Sequence, residues 1–204
     1  MNRIGVWALS GLGLAAVTAA HATNWQIPRE EIAKAVAKCE SCHGPAGNST
    51  NPATPRLNGQ NYQYIVGRLK NFRDPTREDP HAINAMWSVA TQTGDEMLFA
   101  LASYFSGQSP TPPEQHGSAL AATGRKIFVE GLPSRNLPAC QSCHGVQGQG
   151  GGTVPRLAGQ HAAYLTHAME VLRFALRESD VMHPRLNNVD QEQINALVAY
   201  LAKD

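Results

Sequence analysis

The chain is 204 residues long, 42% hydrophobic and 16% charged, with 17 Lys and Arg against 16 Asp and Glu for a formal net charge of +1. That balance excludes the broad basic surface of a nucleic-acid binder and gives no electrostatic reason to sit on an anionic membrane.

The chain opens with Met1-Asn2-Arg3, an apolar run from Ile4 to Ala20 and the small-residue end Ala20-His21-Ala22. This pattern predicts a secretory leader cleaved after Ala22. The alternative is an uncleaved anchor, but a run of 17 residues rich in Gly, Ala, Ser and Thr is short for a membrane span. Losing the leader removes Arg3 and brings the formal charge to zero. No later stretch approaches membrane length, so the mature protein is expected to be soluble.

Pro28-Arg29-Glu30-Glu31 suits a helix start, with a proline and acidic side chains at the positive end of the dipole. Ile32, Ala35, Val36 and Cys39 keep helical spacing into Cys39-Glu40-Ser41-Cys42-His43. The same pattern returns as Cys140-Gln141-Ser142-Cys143-His144, 101 residues later. On one helical turn the two sulfurs share a face, where they can add to the vinyl groups of a haem while the next histidine reaches its iron. A zinc site would want a second ligand pair at short range. A thioredoxin-type pair would follow a strand in a βαβ unit. Two copies with matched surroundings therefore predict two covalently attached haems c. All four cysteines are used, so none is left for a disulfide. In bacteria such attachment takes place outside the cytoplasmic membrane, which agrees with the leader and predicts a periplasmic protein.

Pro55-Arg56-Leu57-Asn58-Gly59-Gln60 recurs as Pro155-Arg156-Leu157-Ala158-Gly159-Gln160, and Tyr64 recurs as Tyr164. Arg73 and Arg77 fall opposite Arg173 and Arg177. The offset then drops from 100 to 96, and Met86 and Tyr104 stand 18 apart, as do Met182 and Tyr200. The chain is a duplication. The Pro-rich stretch Gly107–Glu114 reads as an extended connector. The expected organisation is leader 1–22, first cytochrome domain 23–107, linker 108–117 and second domain 118–204. Units under 90 residues bury little apolar surface alone, and a haem would fill each centre.

Gly124, Ile127 and Phe128 predict a helix matching the first one, with the loop Gly131–Pro138 before Cys140. Leu98, Leu101 and Phe105 form one closing apolar stripe; Ile194, Leu197, Val198 and Leu201 form the other. Thr93-x-x-Glu96 and Asp190-x-x-Gln193 have capping-box spacing at their starts. Strand-like alternation is absent, so the fold is expected to be all-α.

His43 and His144 are the proximal ligands the motif demands. For the sixth position, Met97 and Met169 fall on apolar helix stripes and read as core. Met86, in the loop-like segment Ile83–Trp87, and its repeat counterpart Met182 are the candidates, and a thioether ligand would raise the potential. His183 rivals Met182, although the equivalent residue Trp87 cannot ligate; His81 is a weaker rival for Met86. His116, His161 and His167 read as solvated surface residues. Pro55 and Pro155 could each accept a hydrogen bond from a ligating histidine Nδ1. Arg56 and Arg156 could meet haem propionates or bridge the domains, and Tyr64 and Tyr164 could direct hydroxyls to either place.

The paired Cys-x-x-Cys-His-Gly segments, the repeated Pro-Arg-Leu-x-Gly-Gln-x-x-x-Tyr and a methionine before each final helix resemble the cytochrome c4 family across the mature chain. The resemblance implies two tandem class I cytochrome c folds in a pseudo-twofold arrangement. It also implies a soluble or loosely membrane-associated carrier working toward a terminal oxidase. His183-Pro184-Arg185 departs from the family pattern. The expected function is one-electron transfer without catalysis, with redox proteins such as a terminal oxidase, a quinol-oxidising complex or a dehydrogenase as partners and the donor and acceptor left open, as is the oligomeric state. The alternatives are a haem subunit of a dehydrogenase complex, or a haem enzyme acting on a sulfur compound or peroxide. Carbon monoxide uptake by the reduced protein separates the enzyme from the carrier.

Overall fold

A computed structural model describes residues 27–74, 79–114, 117–176, 179 and 181–203, and at residues 80–82 the backbone without the side chains. The expected leader, Arg77, Arg177, His116 and the side chain of His81 lie outside the described residues.

Nine α-helices are seen among the described residues, and the only β-type pairings there are isolated bridges, as at Leu132 and Leu137. In the first half, α1 spans Arg29–His43, α2 Tyr62–Asn71, α3 Pro80–Thr91 and α4 Asp95–Ser106. In the second, α5 spans Ala119–Glu130, α6 Gln141–His144, α7 Ala162–Arg173, α8 His183–Leu186 and α9 Gln191–Leu201. Helix α1 starts after Pro28, carries Glu30 and Glu31 in its first turn and ends at Gly44. Lys34 bridges to both acids at 2.9 and 3.1 Å. Helix α5 is capped by Ser118, whose hydroxyl accepts from the Ala121 N–H at 3.1 Å. None of these helices is long and apolar enough to cross a membrane.

Each half has its own core. In the first, Val36 of α1 and Ile65 of α2 pack with Leu101, Ala102 and Phe105 of α4. In the second, Ile127 and Phe128 of α5 pack with Leu165 and with Ile194, Leu197 and Leu201 of α9. Burying side chains of this size contributes about 1.5–3 kcal/mol each. The α5–α9 crossing is a backbone contact. A Cβ on Gly124 would lie 1.8 Å from the Ala196 carbonyl oxygen, so only glycine lets the helices approach this closely.

Three local expectations are corrected. The segment around Met86 is not a loop. Pro80 takes the first position of α3, where its missing N–H costs nothing, and residues 81–91 contain no glycine to break the helix. Thr93 does not cap α4: Gly94 precedes that helix, and the Thr93 hydroxyl donates instead to the Val89 carbonyl at 2.7 Å. The second box is present, with Gln193 N–H donating to Asp190 Oδ1 at 2.9 Å and Asp190 N–H to Gln193 Oε1 at 3.1 Å. His161 is not a surface residue. It is 3% exposed, and its Nε2–H donates across to the Ser49 carbonyl at 2.9 Å.

The two halves meet through the repeated Pro-Arg-Leu-x-Gly-Gln segments. Gln160 accepts from the Arg56 N–H at 2.8 Å and donates to the Arg56 carbonyl at 3.0 Å. Gln60 does the same for Arg156, at 2.7 and 3.0 Å. The Arg56 guanidinium donates to the carbonyls of Gly159 at 2.8 Å and Lys203 at 2.6 Å, so this arginine bridges the halves. The connector runs along this joint: Gly159, at φ +79°, would drive a Cβ to 1.9 Å from the Thr111 carbonyl oxygen.

Candidate haem sites

Helix α1 continues through the first Cys-x-x-Cys-His motif, whereas the loop between α5 and α6 separates the second motif from its preceding helix. Both routes reach the same arrangement. Cys39 and Cys140 are half-buried, Cys42 and Cys143 are exposed, and all four thiols are free. Ser41 and Ser142 turn their hydroxyls back to the carbonyls of Lys38 and Ala139, at 2.8 and 2.7 Å, and each also lies 3.9 Å from the sulfur of the next residue, Cys42 or Cys143. Burial pushes the Cys39 thiol up and the Cys140 thiol up to about 11.

His43 is 8% exposed and His144 5% exposed. The Nδ1–H of His43 donates to the Pro55 carbonyl at 2.8 Å, and that of His144 to the Pro155 carbonyl at 3.0 Å. The proline ring fixes φ at each acceptor residue, which narrows the directions its carbonyl can take. The bond selects the tautomer and presents Nε2 as the coordinating nitrogen. Burial holds both imidazoles below the usual histidine range, against the raising effect of the carbonyls. The neutral ring, the form that binds a metal, is therefore favoured.

The backbone after the first motif is fixed by Glu40. One of its carboxylate oxygens accepts from the Ala46 N–H at 2.7 Å and from the Tyr104 hydroxyl at 3.0 Å. In the second half Gln141 takes that position and donates to the Val129 carbonyl at 2.9 Å.

Met86 is half-buried in the middle of α3, flanked by the exposed Ile83 and Trp87. Met182 stands at the start of α8, half-buried against the second core, its N–H held by the Ser179 hydroxyl at 3.0 Å. The Nδ1–H of His183 is engaged with the Leu172 carbonyl at 2.9 Å, which ties the α8 start to α7. Met97 and Met169 pack on the two cores. Arg56 and Arg156 both lie in the joint between the halves; Arg156 donates to the Ala158 carbonyl at 3.1 Å. Tyr64 and Tyr164 are half-buried on α2 and α7. His167 faces the buried Asp79 of the other half at 3.5 Å, so it too is more than a solvated residue.

The donor set fits haem c: two free thiols and an imidazole on one turn, with the imidazole's second nitrogen already satisfied. Among the described residues no three His, Cys, Asp or Glu side chains cluster as an ion site of the zinc kind. Gln60, Gln160 and His161 hold the joint between the halves, a role that the motifs did not disclose. The glutamines were visible only as invariant members of the repeat, and His161 had no signal of its own.

The family model described as Cytochrome c matches residues 121–203. The cytochrome c4 of Thiocapsa roseopersicina is 36% identical over 85% of this chain and 91% of its own length. A thiosulfate dehydrogenase electron acceptor of Thiomonas intermedia is 32% identical over 92% of this chain and 88% of its own. The solved cytochrome c4 of Acidithiobacillus ferrooxidans superposes with a TM-score of 0.75 at 35% identity, covering 81% of this chain and 98% of that one.

Proposed function

This chain belongs to the cytochrome c4 family of di-haem electron-transfer cytochromes with covalently bound haem c, and from that premise we propose that it relays single electrons between periplasmic redox proteins. Cys39, Cys42, Cys140 and Cys143 would form the thioethers to the haems, His43 and His144 would ligate the irons, and Met86 and Met182 would supply the sixth ligands. Each bound haem supplies a ferric–ferrous couple at a potential raised by the thioether ligand. The remaining work is done by the chain. The prolyl carbonyls orient both imidazoles, the cores exclude water, and filled coordination positions keep rearrangement between oxidation states small. The observation that carries this reading is the duplicated histidine–prolyl carbonyl bond, present in both halves at the same place in the repeat.

The donor side is a dehydrogenase, a reading favoured by the likeness to a thiosulfate dehydrogenase electron acceptor; electrons then pass toward a terminal oxidase. A permanent haem subunit of such a dehydrogenase would use the same ligands, and co-purification of the native protein separates it from a free carrier. A leader cleaved after Ala22 would deliver the chain to the periplasm. The test is a redox titration of the holoprotein with spectra at each step, on the wild type and on Met86→Ala. Two low-spin centres are expected in the wild type. The variant should have one centre of lower potential that takes up carbon monoxide when reduced. An unchanged spectrum and potential in Met86→Ala would reject the distal assignment, and rapid carbon monoxide uptake by the wild type would reject the simple carrier.

A further inference from the structure

Arg73 lies just past the end of α2, and its repeat counterpart Arg173 is the last residue of α7. Arg73 donates from Nε to the Ala90 carbonyl at 2.9 Å, from Nη2 to the Thr93 carbonyl, and from Nη1 to the Asp95 carboxylate at 2.5 Å. Those acceptors lie in the last turn of α3, in the turn after it and at the first residue of α4. One guanidinium thus pins the C-terminal end of the helix that carries Met86.

The counterparts of Ala90, Thr93 and Asp95 in the second half, at the offset of 96, are Leu186, Val189 and Gln191. Arg173 reaches two of them, the Val189 carbonyl at 3.3 Å and the Gln191 amide oxygen at 3.4 Å. Its buried Nε has no partner among the described residues, where Arg73 makes a bond of normal length. The carboxylate of the first site is a neutral amide in the second, so the charge-assisted contact is gone. The bonds from His183 to Leu172 and from the Met182 N–H to Ser179 hold the start of α8 beside the methionine, so the difference between the two arginine clamps lies at the C-terminal end of each methionine segment.

We propose that Arg73 and Arg173 are positioning residues for the distal methionines, and that their unequal grip makes the Met182 segment open before the Met86 segment. This rests on the assignment of Met86 and Met182 as distal ligands. The first methionine then behaves as a permanent ligand. The second exchanges more readily for a small external donor, giving one chain two haem sites of different accessibility.

The experiment is an imidazole titration of the oxidised holoprotein, in which proton NMR resolves the two haems. The ligated methionine methyls are assigned in the reduced form with Met86→Ala and Met182→Ala. Losing one half-exposed ion pair is worth at most about a fivefold change in an opening equilibrium, so the second site should saturate at lower imidazole than the first, by up to about fivefold. Asp95→Gln should bring the first site toward the second, and Gln191→Asp should tighten the second toward the first. If Gln191→Asp fails to fold, Arg73→Lys supplies the same test by weakening the first clamp alone. Earlier opening of the first site, or a gap untouched by the swaps, overturns the proposal while leaving the ligands in place. Absence of ligated methionine methyls in the reduced wild type overturns the ligand assignment, and this proposal with it.

Discussion

Replacing Gln160 by Leu removes the contact that ties the second half to the peptide beside Pro55. The amide is 7% exposed and makes three bonds: it accepts from the N–H groups of Arg56 and His161 and donates to the Arg56 carbonyl. Leucine keeps most of the volume and none of the polarity. Two partly buried peptide groups of the first half then lose their partners, at about 1–3 kcal/mol each. Some of that is recovered by water entering the joint, which leaves a net cost of about 2–4 kcal/mol to the docking of the halves. Guanidinium unfolding of the holoprotein, followed by haem absorbance and by helical circular dichroism, is the assay. The wild type should unfold in one transition, because each half is stabilised by the other; Gln160→Leu should separate it into two. Gln60→Leu should act alike, and the double variant should cost less than the sum, since both residues close one joint. A single transition at an unchanged midpoint in Gln160→Leu would refute the reasoning.

Met182→Ala should open the second haem to external ligands, while His183→Ala should leave its absorption spectrum unchanged; disruption by His183→Ala alone would make the histidine the ligand. Gly124→Val should cost about 2–4 kcal/mol in thermal unfolding, because the new side chain must push α5 off the Ala196 carbonyl, and a wild-type midpoint would contradict that close approach. Arg73 holds the Asp95 carboxyl below its ordinary value of 3.8, chiefly through their hydrogen bond. The resulting stability is present above that ordinary value and is lost as pH falls through the depressed one. Asp95→Asn should therefore flatten the acid end of the stability–pH curve, and a curve parallel to the wild type would remove the ion pair from the account.

What the residues disclosed in advance was the chemistry that is local and the pattern that is repeated. Cys39 to His43 is a single helical turn, so its geometry follows from five residues. The prolyl carbonyls could be anticipated because Pro55 and Pro155 recur at nearly the same distance from their histidines. The helix around Met86 was hidden because Pro80 looks like a break when read alone, yet it is favourable as the first residue of a helix. Thr93 failed as a cap because the preceding helix runs on to Thr91 and leaves the Val89 carbonyl within reach of its hydroxyl. His161 and the two glutamines were legible only as letters. Their partners, Ser49, Arg56 and Arg156, lie about a hundred positions away, and short-range periodicity carries no trace of such pairings.

In the joint between the halves, Gln60 serves Arg156 while Gln160 serves Arg56, each through the same two atoms. That is the self-complementary pattern of an isologous contact, the kind two identical subunits make about a dyad. The tether through Pro110 and Thr111 turns what would be a concentration-dependent encounter into an intramolecular one. A lone half, freed of its sibling, would expose the seam and keep the arginine peptide and the glutamine that pair across it.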